Sequence, residues 1–336
     1  MAKFYLKEGY SSPLGIMETE IAIKSLKDFF ERSLAENLNL TRVSAPLFVF
    51  PESGLNDDLN GVERPVSFGI LEQNDKMCEI VHSLAKWKRN ALKKYGFSVG
   101  SGLYTDMNAI RRDEETDNTH SLYVDQWDWE RVINKEDRNT EFLKEIVRKI
   151  YKSLLETEEY INGLYPCLLE KLPKEIFFIT SEELLRAYPS LSAKERENRL
   201  LKDKKAAFIL EIGGKLSNGE KHDGRAPDYD DWSLNGDLML YNPILEAAFE
   251  ISSMGIRVDE RALSEQLKIA GCEERKGLSF HSDLLSGKLP LTIGGGIGQS
   301  RLCMYYLEKL HIGEVHSSVW TKETLDICEK NGVNLL

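Results

Sequence analysis

Residues whose spacing could do chemistry cluster first in VDQWDW, 124–129. Strand alternation puts Gln126 and Asp128 on one face, about 6.6 Å apart along the chain, with Trp127 and Trp129 on the other. An amide beside a carboxylate can hold the two charged ends of a small zwitterion such as an amino acid. The same pattern also fits a half-exposed strand with its polar residues outward. Arg111, in AIRRDEE, ends a neighbouring strand-like run. There it would offer bidentate hydrogen bonds to a carboxylate or phosphate, or merely pair with Asp113 or Glu114, and Arg112 competes for the same role. Acids gather further on: Asp228, Asp230 and Asp231 in HDGRAPDYDDW, Asp237 in NGD, and Glu250 in AAFEISS. Separated carboxylates on adjacent strands suit magnesium completed by substrate phosphates, whereas the DYDD run also reads as a solvated loop. Glu250 sits in an apolar stretch, where an unpaired acid is costly.

The run LTIGGGIGQSRLCM, 291–304, poses a different problem. It is no P-loop, because Gln299 and Ser300 follow Gly298 where lysine and a hydroxyl residue are required. It is no dinucleotide fingerprint either, because Gln299 occupies the third glycine position. Glycines alternate at 294, 296 and 298, and Arg301 follows. Alternating glycines let backbone approach a flat ligand such as a purine. A helix beginning near Gln299 would turn Arg301 and its own N-terminus toward an anion. Standing alone, the run would equally make a tight strand-to-helix turn. Cys78 and His82 share a helical spacing but have no third orienting group, and read as packing. The six histidines show no zinc spacing.

These residues need a scaffold, and the periodicity supplies one. Residues 16–37 read as an amphipathic helix with Ile23, Leu26, Phe30 and Leu34 on one side. Residues 40–50 are strand-like and broken by Pro46. Residues 82–95 form a basic helix that Gly96 stops. LYTDMNAIRRDE and SLYVDQWDWERV read as an antiparallel pair, and a helix spans about 140–162. A strand at 175–180 precedes a helix with a Thr180–Glu183 capping box. AAFILEIGG is a buried strand and 215–233 a polar loop. LNGDLMLYNP and ILEAAFEISSMGIRV are strands, and helices begin near 259, 279 and 299. Irregular mixing of strands and helices without repeats or linkers predicts one α+β domain over 1–336, mostly antiparallel sheet flanked by helices.

The bulk numbers exclude several classes. A net charge of −11 disfavours a nucleic-acid partner. Five scattered cysteines without CxxC fit a reducing compartment. No run approaches the roughly 18 apolar residues of a membrane span, and the N-terminus lacks an apolar targeting core. A cytoplasmic location is expected.

The order of the pieces resembles the catalytic core of class II aminoacyl-tRNA synthetases: helix, strand and Pro46 as a dimer-forming first motif, AIRRDE as the second, GGGIGQSR as the third. More closely, GLNDDLNG, EIVHSLAKWKR, YVDQWDWERV, GGKLSNG, RAPDYDDW, FEISSMGIRVD and TIGGGIGQSRL together resemble the ammonia-dependent aspartate–ammonia ligases (asparagine synthetase type A) along the whole chain. That resemblance implies a homodimer turning L-aspartate, ATP and ammonia into asparagine, AMP and pyrophosphate through a β-aspartyl-adenylate, with Mg2+. It implies that Asp57, or Asp58 if the register slips, sits at the reacting end and helps deprotonate ammonium. Lys88 and Arg111 would neutralise the β-carboxylate and α-phosphate, with Ser83 nearby. Gln126, Asp128, Asp230, Ser252, Ser253 and Arg257 would bind aspartate. Asp237 and Glu250 would serve ATP and magnesium. Gly294, Gly295, Gly296 and Arg301 would hold the nucleotide. From Ser233 to Asn235 the chain runs straight from DDWS to LNGD, where the family pattern has a longer loop, so site closure is expected to differ.

Three rivals follow. A true aminoacyl-tRNA synthetase needs a tRNA-binding module, for which about 20 residues before the first motif and 35 after Arg301 leave little room. A glutamine-dependent amidotransferase commonly uses an N-terminal cysteine, and the chain begins Met1-Ala2. A non-catalytic binding paralogue would be expected to have lost charged groups such as Lys88, Arg111, Glu250 and Arg301.

Overall fold

The structure is a computed structural model that describes residues 4–57, 59 and 63–336; Asp58 lies outside them. The strands are β1 Leu40–Arg42, β2 Phe48–Val49, β3 Ser67–Ile70, β4 Lys76–Ile80, β5 Gly102–Ile110, β6 Tyr123–Val132, β7 Phe177–Thr180, β8 Ala206–Leu210, β9 Asp230–Asn242, β10 Ala247–Arg257 and β11 Thr292–Gly298. Eight of them form one sheet in the order β1-β5-β6-β11-β10-β9-β8-β7, and β2-β4-β3 make a small second sheet. The large sheet is antiparallel except at its two edges, where β1 pairs with β5 and β7 with β8 in parallel. The α-helices are α1 Ile16–Leu38, α2 Ala85–Tyr95, α3 Thr140–Leu164, α4 Ser181–Ala187, α5 Ala193–Lys204, α6 Glu260–Ala270, α7 Ser279–Leu285, α8 Gln299–Tyr306 and α9 Lys322–Lys330.

One face of the sheet carries the core. Trp127 and Trp129 point into it with Leu26, Phe30 and Leu34 of α1, Ile146, Val147 and Ile150 of α3, and the buried face of α8. Alternation along β6 therefore leaves Gln126, Asp128 and Glu130 on the opposite face. On that side α2 packs against β6 and β11. Gly96 ends α2 in the left-handed conformation at φ 72°, and the Thr180–Glu183 box starts α4 with reciprocal bonds of 2.8 and 3.1 Å.

The charged face of α2 is buried rather than solvated: Lys86, Lys88 and Arg89 are buried, and Arg89 donates to the carbonyls of Pro290 and Val258. The acidic run is no open loop, since Asp228, Asp230 and Asp231 are all buried and each is paired with a cation. Residues 233–235, where a longer loop is expected from the family pattern, lie inside β9. The Asn235 side chain there bridges the N–H and carbonyl of Ile212 at 2.8 and 2.9 Å, tying the segment after β8 to β9.

Candidate active site

A cavity of about 370 Å³ opens over the polar face of β6, β9, β10 and β11. Its floor explains the glycine run. In the β6–β11 register, Gly294 faces Glu130, Gly296 faces Asp128 and Gly298 faces Gln126. A Cβ on Gly294 would strike the Glu130 carboxylate and lie 2.6 Å from the Trp129 carbonyl oxygen; one on Gly296 would strike the Gln126 amide and lie 2.8 Å from Asp128 Oδ1. The alternating glycines make room for a row of three polar side chains from the neighbouring strand.

That row is held by cations from other elements. Lys88, from α2, donates to Asp128 Oδ1 at 3.1 Å and to the Gly295 carbonyl at 2.9 Å, and lies 3.9 Å from Glu130. Arg257, at the end of β10, donates to both Glu130 oxygens at 2.8–3.1 Å and to Asp230. Thr292 adds a 2.7 Å bond to Glu130. Burial opposes ionisation of Glu130, yet the Arg257 charge and hydrogen bonds hold its carboxyl below the usual range. Burial likewise lowers the Lys88 ammonium, with Asp128 opposing.

Asp57 stands at the closed end. Its carboxylate accepts from Ser83 Oγ at 3.1 Å and the Leu59 N–H at 2.9 Å, and has no ion pair within bonding distance among the described residues. Burial raises its pKa, Lys86 opposes and Asp228 adds to the rise. Lys86 itself is locked onto Asp228, which also binds His281 and Arg275. His82, singled out in sequence beside Cys78, donates from Nδ1 to the Asp57 carbonyl at 2.8 Å and so fixes the loop that carries the acid.

The other end is more open. Arg301, in the first turn of α8, donates to the Glu250 carbonyl at 3.1 Å and to His120 Nε2 at 2.9 Å, and lies 3.7 Å from the Glu250 carboxylate. His120 therefore keeps its proton on Nδ1 and donates it to Asp117 at 2.8 Å. Arg111 lines the wall 3.9 Å from Glu114, whereas Arg112 is exposed and off the wall. Asp237 of β9 and Glu250 of β10 face the same space. Burial pushes the Asp237 carboxyl up to about 7, with Arg225 opposing and Glu250 reinforcing.

Most sequence-selected residues meet here: Asp57, Ser83, Lys88, Arg111, Gln126, Asp128, Asp230, Asp237, Glu250, Ser253, Arg257, Gly295, Gly296 and Arg301 all line the cavity. Two do not. Gly294 lies beneath Glu130. Ser252 is buried off the wall, its hydroxyl without a partner among the described residues, because the β9–β10 register shifts between Glu250 and Ser252. Sequence reasoning missed Glu130, although it continues the 126–128 alternation. It also missed Arg225, Tyr229 and His120, which come from segments between strands and carry no periodic signal.

Over 90% of its length the chain superposes on the asparaginyl-tRNA synthetase of Entamoeba histolytica with a TM-score of 0.62, at 13% identity, spanning 66% of that chain. This is the fold of a class II aminoacyl-tRNA synthetase core. Residues 17–332 match the family model described as aspartate-ammonia ligase. The aspartate–ammonia ligase of Clostridium tetani is 63% identical over 334 residues, 99% of this chain and 98% of that one. That of Clostridium perfringens strain ATCC 13124 is 62% identical over the whole of both chains. The chain belongs to the aspartate–ammonia ligase family.

Proposed function

We propose that this cavity joins ammonia to the side-chain carboxylate of L-aspartate, with ATP as the activating substrate. The observation that carries the reading is the segregation of charge. Asp128 and Glu130 form a buried row paired with Lys88 and Arg257, half-buried Gln126 continues it and Asp57 lines the same cavity, while Arg111 and Arg301 stand at the open end.

Aspartate binds with its ammonium against Gln126 and Asp128, and its β-carboxylate toward Lys88 and Arg257. ATP lies along β11 with its α-phosphate between Arg111 and Arg301. A β-carboxylate oxygen attacks the α-phosphorus, and the bond to the β-phosphate breaks to release pyrophosphate. The lone pair of ammonia then attacks the activated carbonyl carbon, the C–O bond to AMP breaks, and nitrogen loses a proton to Asp57. A carboxyl raised by burial is a better base than an ordinary one. Arg301 and Arg111 meet charge as it develops on phosphorus. The donor chemistry fits a magnesium ion: Asp237 and Glu250 are two oxygen donors whose mutual repulsion a dication would relieve. When bound, it would neutralise the phosphates. The catalytic domain takes in 1–336 and works as a cytoplasmic homodimer. No described helix is long and apolar enough to cross a membrane.

The test is one incubation of purified protein with L-aspartate, ATP, Mg2+ and ammonium chloride, with amino acids and nucleotides resolved afterwards. Asparagine and AMP in equal amounts are expected. ADP in place of AMP would replace the adenylate by an acyl phosphate and overturn the Arg301 assignment. Aspartate-dependent pyrophosphate exchange without asparagine would favour a synthetase-like protein that stops at the adenylate.

A further inference from the structure

Resting on the magnesium reading above, we infer that Arg225 is the resident counter-cation of the metal subsite: its guanidinium holds Asp237 in the substrate-free cavity and yields that carboxylate when a divalent cation arrives. Arg225 comes from the segment between β8 and β9, and its side chain is 7% exposed. Its Nη2 donates to Asp237 Oδ1 at 2.6 Å, and Nη1 donates to Ser253 Oγ. Asp237 and Ser253 are partners across β9 and β10, so one guanidinium clamps the two strands at the point where the proposed ligands sit.

The arrangement competes with a metal for Asp237, one of whose oxygens the guanidinium already takes. A magnesium ion takes carboxylate oxygens at roughly 2.0–2.1 Å in near-octahedral geometry. A guanidinium donating to the same carboxylate would bring two positive charges onto one anion, in a site too buried for water to screen them. The structure gives Arg225 somewhere to go. Its Nε has no hydrogen-bond partner among the described residues and lies 3.7 Å from Asp230 Oδ2. Leaving Asp237 for Asp230 costs a small side-chain rotation and keeps the charge paired. Asp230 is also bound by Arg257. Loading the metal would therefore draw on the same carboxylate that positions Arg257, the residue placed against the substrate side chain. Arg225 is a positioning residue in this scheme: it preserves the subsite when empty and links its filling to the aspartate end.

The experiment titrates the full-length protein with Mn2+ alone, without nucleotide, and counts free Mn2+ by electron paramagnetic resonance. Arg225→Gln removes the competing cation while keeping a hydrogen-bonding side chain, and Mn2+ should bind about tenfold more tightly than to wild type. Arg225→Lys keeps a charge but cannot serve Ser253 and Asp237 together, and should fall between. This second variant remains informative if the first does not fold. Unchanged or weaker Mn2+ binding in the variants would overturn the inference, because a clamp that merely supports the strands predicts loss. Asp237→Asn, made in both backgrounds, separates the two levels. If it leaves Mn2+ binding intact, the magnesium assignment itself is wrong and the inference falls with it.

Discussion

Substituting two glycines two residues apart in β11 should have different consequences, because different atoms fill the space beside them. A methyl on Gly294 would meet the Glu130 carboxylate and, at 2.6 Å, the Trp129 carbonyl oxygen. The second is backbone of the paired strand and cannot move aside. The first is anchored by Arg257, with Thr292 on the same carboxylate. Gly294→Ala must therefore either part β11 from β6 or turn Glu130 off Arg257. Overpacking alone costs about 1–3 kcal/mol. Turning Glu130 away takes a buried carboxylate off its arginine, which costs about 3–5 kcal/mol, although Arg257 itself keeps Asp230. The two overlap, so a loss of about 3–5 kcal/mol is expected, a large part of the roughly 5–15 kcal/mol that holds a domain together. A methyl on Gly296 meets only the ends of the Gln126 and Asp128 side chains. Gln126 can rotate into the cavity, and Asp128, held by Lys88 and the Leu84 N–H, need give only a few tenths of an ångström, so Gly296→Ala should lose about 1 kcal/mol of stability but disturb both groups assigned to the aspartate ammonium. With about 1–3 kcal/mol at stake, KM for aspartate should rise between about fivefold and 150-fold. Urea denaturation, paired with steady-state kinetics in aspartate and in ATP, separates the outcomes. A Gly294→Ala protein as stable as wild type, or a Gly296→Ala protein with unchanged aspartate KM, would refute the packing argument.

Arg301→Ala should lower kcat/KM by at least about 2 kcal/mol, roughly thirtyfold, if the guanidinium meets developing phosphate charge; near-normal turnover removes it from the site. Asp57→Asn should keep aspartate-dependent pyrophosphate exchange and lose asparagine formation, whereas equal loss of both would make Asp57 a substrate-binding group. The same variant has a stability signature. Burial raises the folded-state pKa of Asp57, so the folded protein keeps a proton that the unfolded chain has released. Wild type thus loses stability as pH climbs from the ordinary carboxylate value through the raised one. Asp57→Asn should be the more stable protein above that window and gain nothing below it, as thermal melts across pH would reveal. Glu130 has the opposite sign: its pKa is held down, so its contribution is present above the ordinary carboxylate range and fades as pH falls through the lowered value. Glu130→Gln should flatten that acid limb.

Much of the site was legible because it lies in strands. Alternation alone placed Gln126 and Asp128 opposite the two tryptophans, and the structure has them so. Helix periodicity and caps gave both ends of α1 and α3 and the start of α4 to within a few residues. What failed was anything set by partners distant in sequence. Lys86 and Asp228 are 142 residues apart and Lys88 and the Gly295 carbonyl 207. An acidic run whose cations lie that far away looks solvated, and a helix whose acids lie that far away looks basic. Asn235 and Gly236, read in sequence as part of the strand LNGDLMLYNP, do lie within β9. Asn235 bonds across to Ile212, and a Cβ on Gly236 would lie 2.6 Å from the Phe208 ring. The small sheet went unseen because its strands, two to five residues long, are too short to show alternation.

The pairing pattern also argues for how the cavity divides its work. Each cation proposed to act on substrate is held by an acid beforehand, so substrates must compete for it. At the closed end the competition is steep: the side chains of Lys88 and Asp128, and of Arg257 and Glu130, are at most 4% exposed, and separating such pairs leaves buried charge unpaired. Those groups remain in place and present a fixed shape, as discrimination of a small amino acid requires. At the open end the pairs are weak. Arg301 and Glu250 are 3.7 Å apart at 23% and 40% exposure, and Arg111 and Glu114 are 3.9 Å apart, a geometry in which ion pairs contribute little. A polyphosphate can take both arginines at small cost. Asp128, Asp230, Asp237 and Glu250 each have a lysine or arginine within ion-pair distance. Among the described residues Asp57 has only a hydroxyl and an N–H on its carboxylate, and the proposed reaction places it where nitrogen loses a proton. An acid already paired with lysine or arginine would be a poor base. Leaving this one without a cation is what keeps it able to accept the proton, and the stability forgone by burying it that way is the quantity that Asp57→Asn should restore.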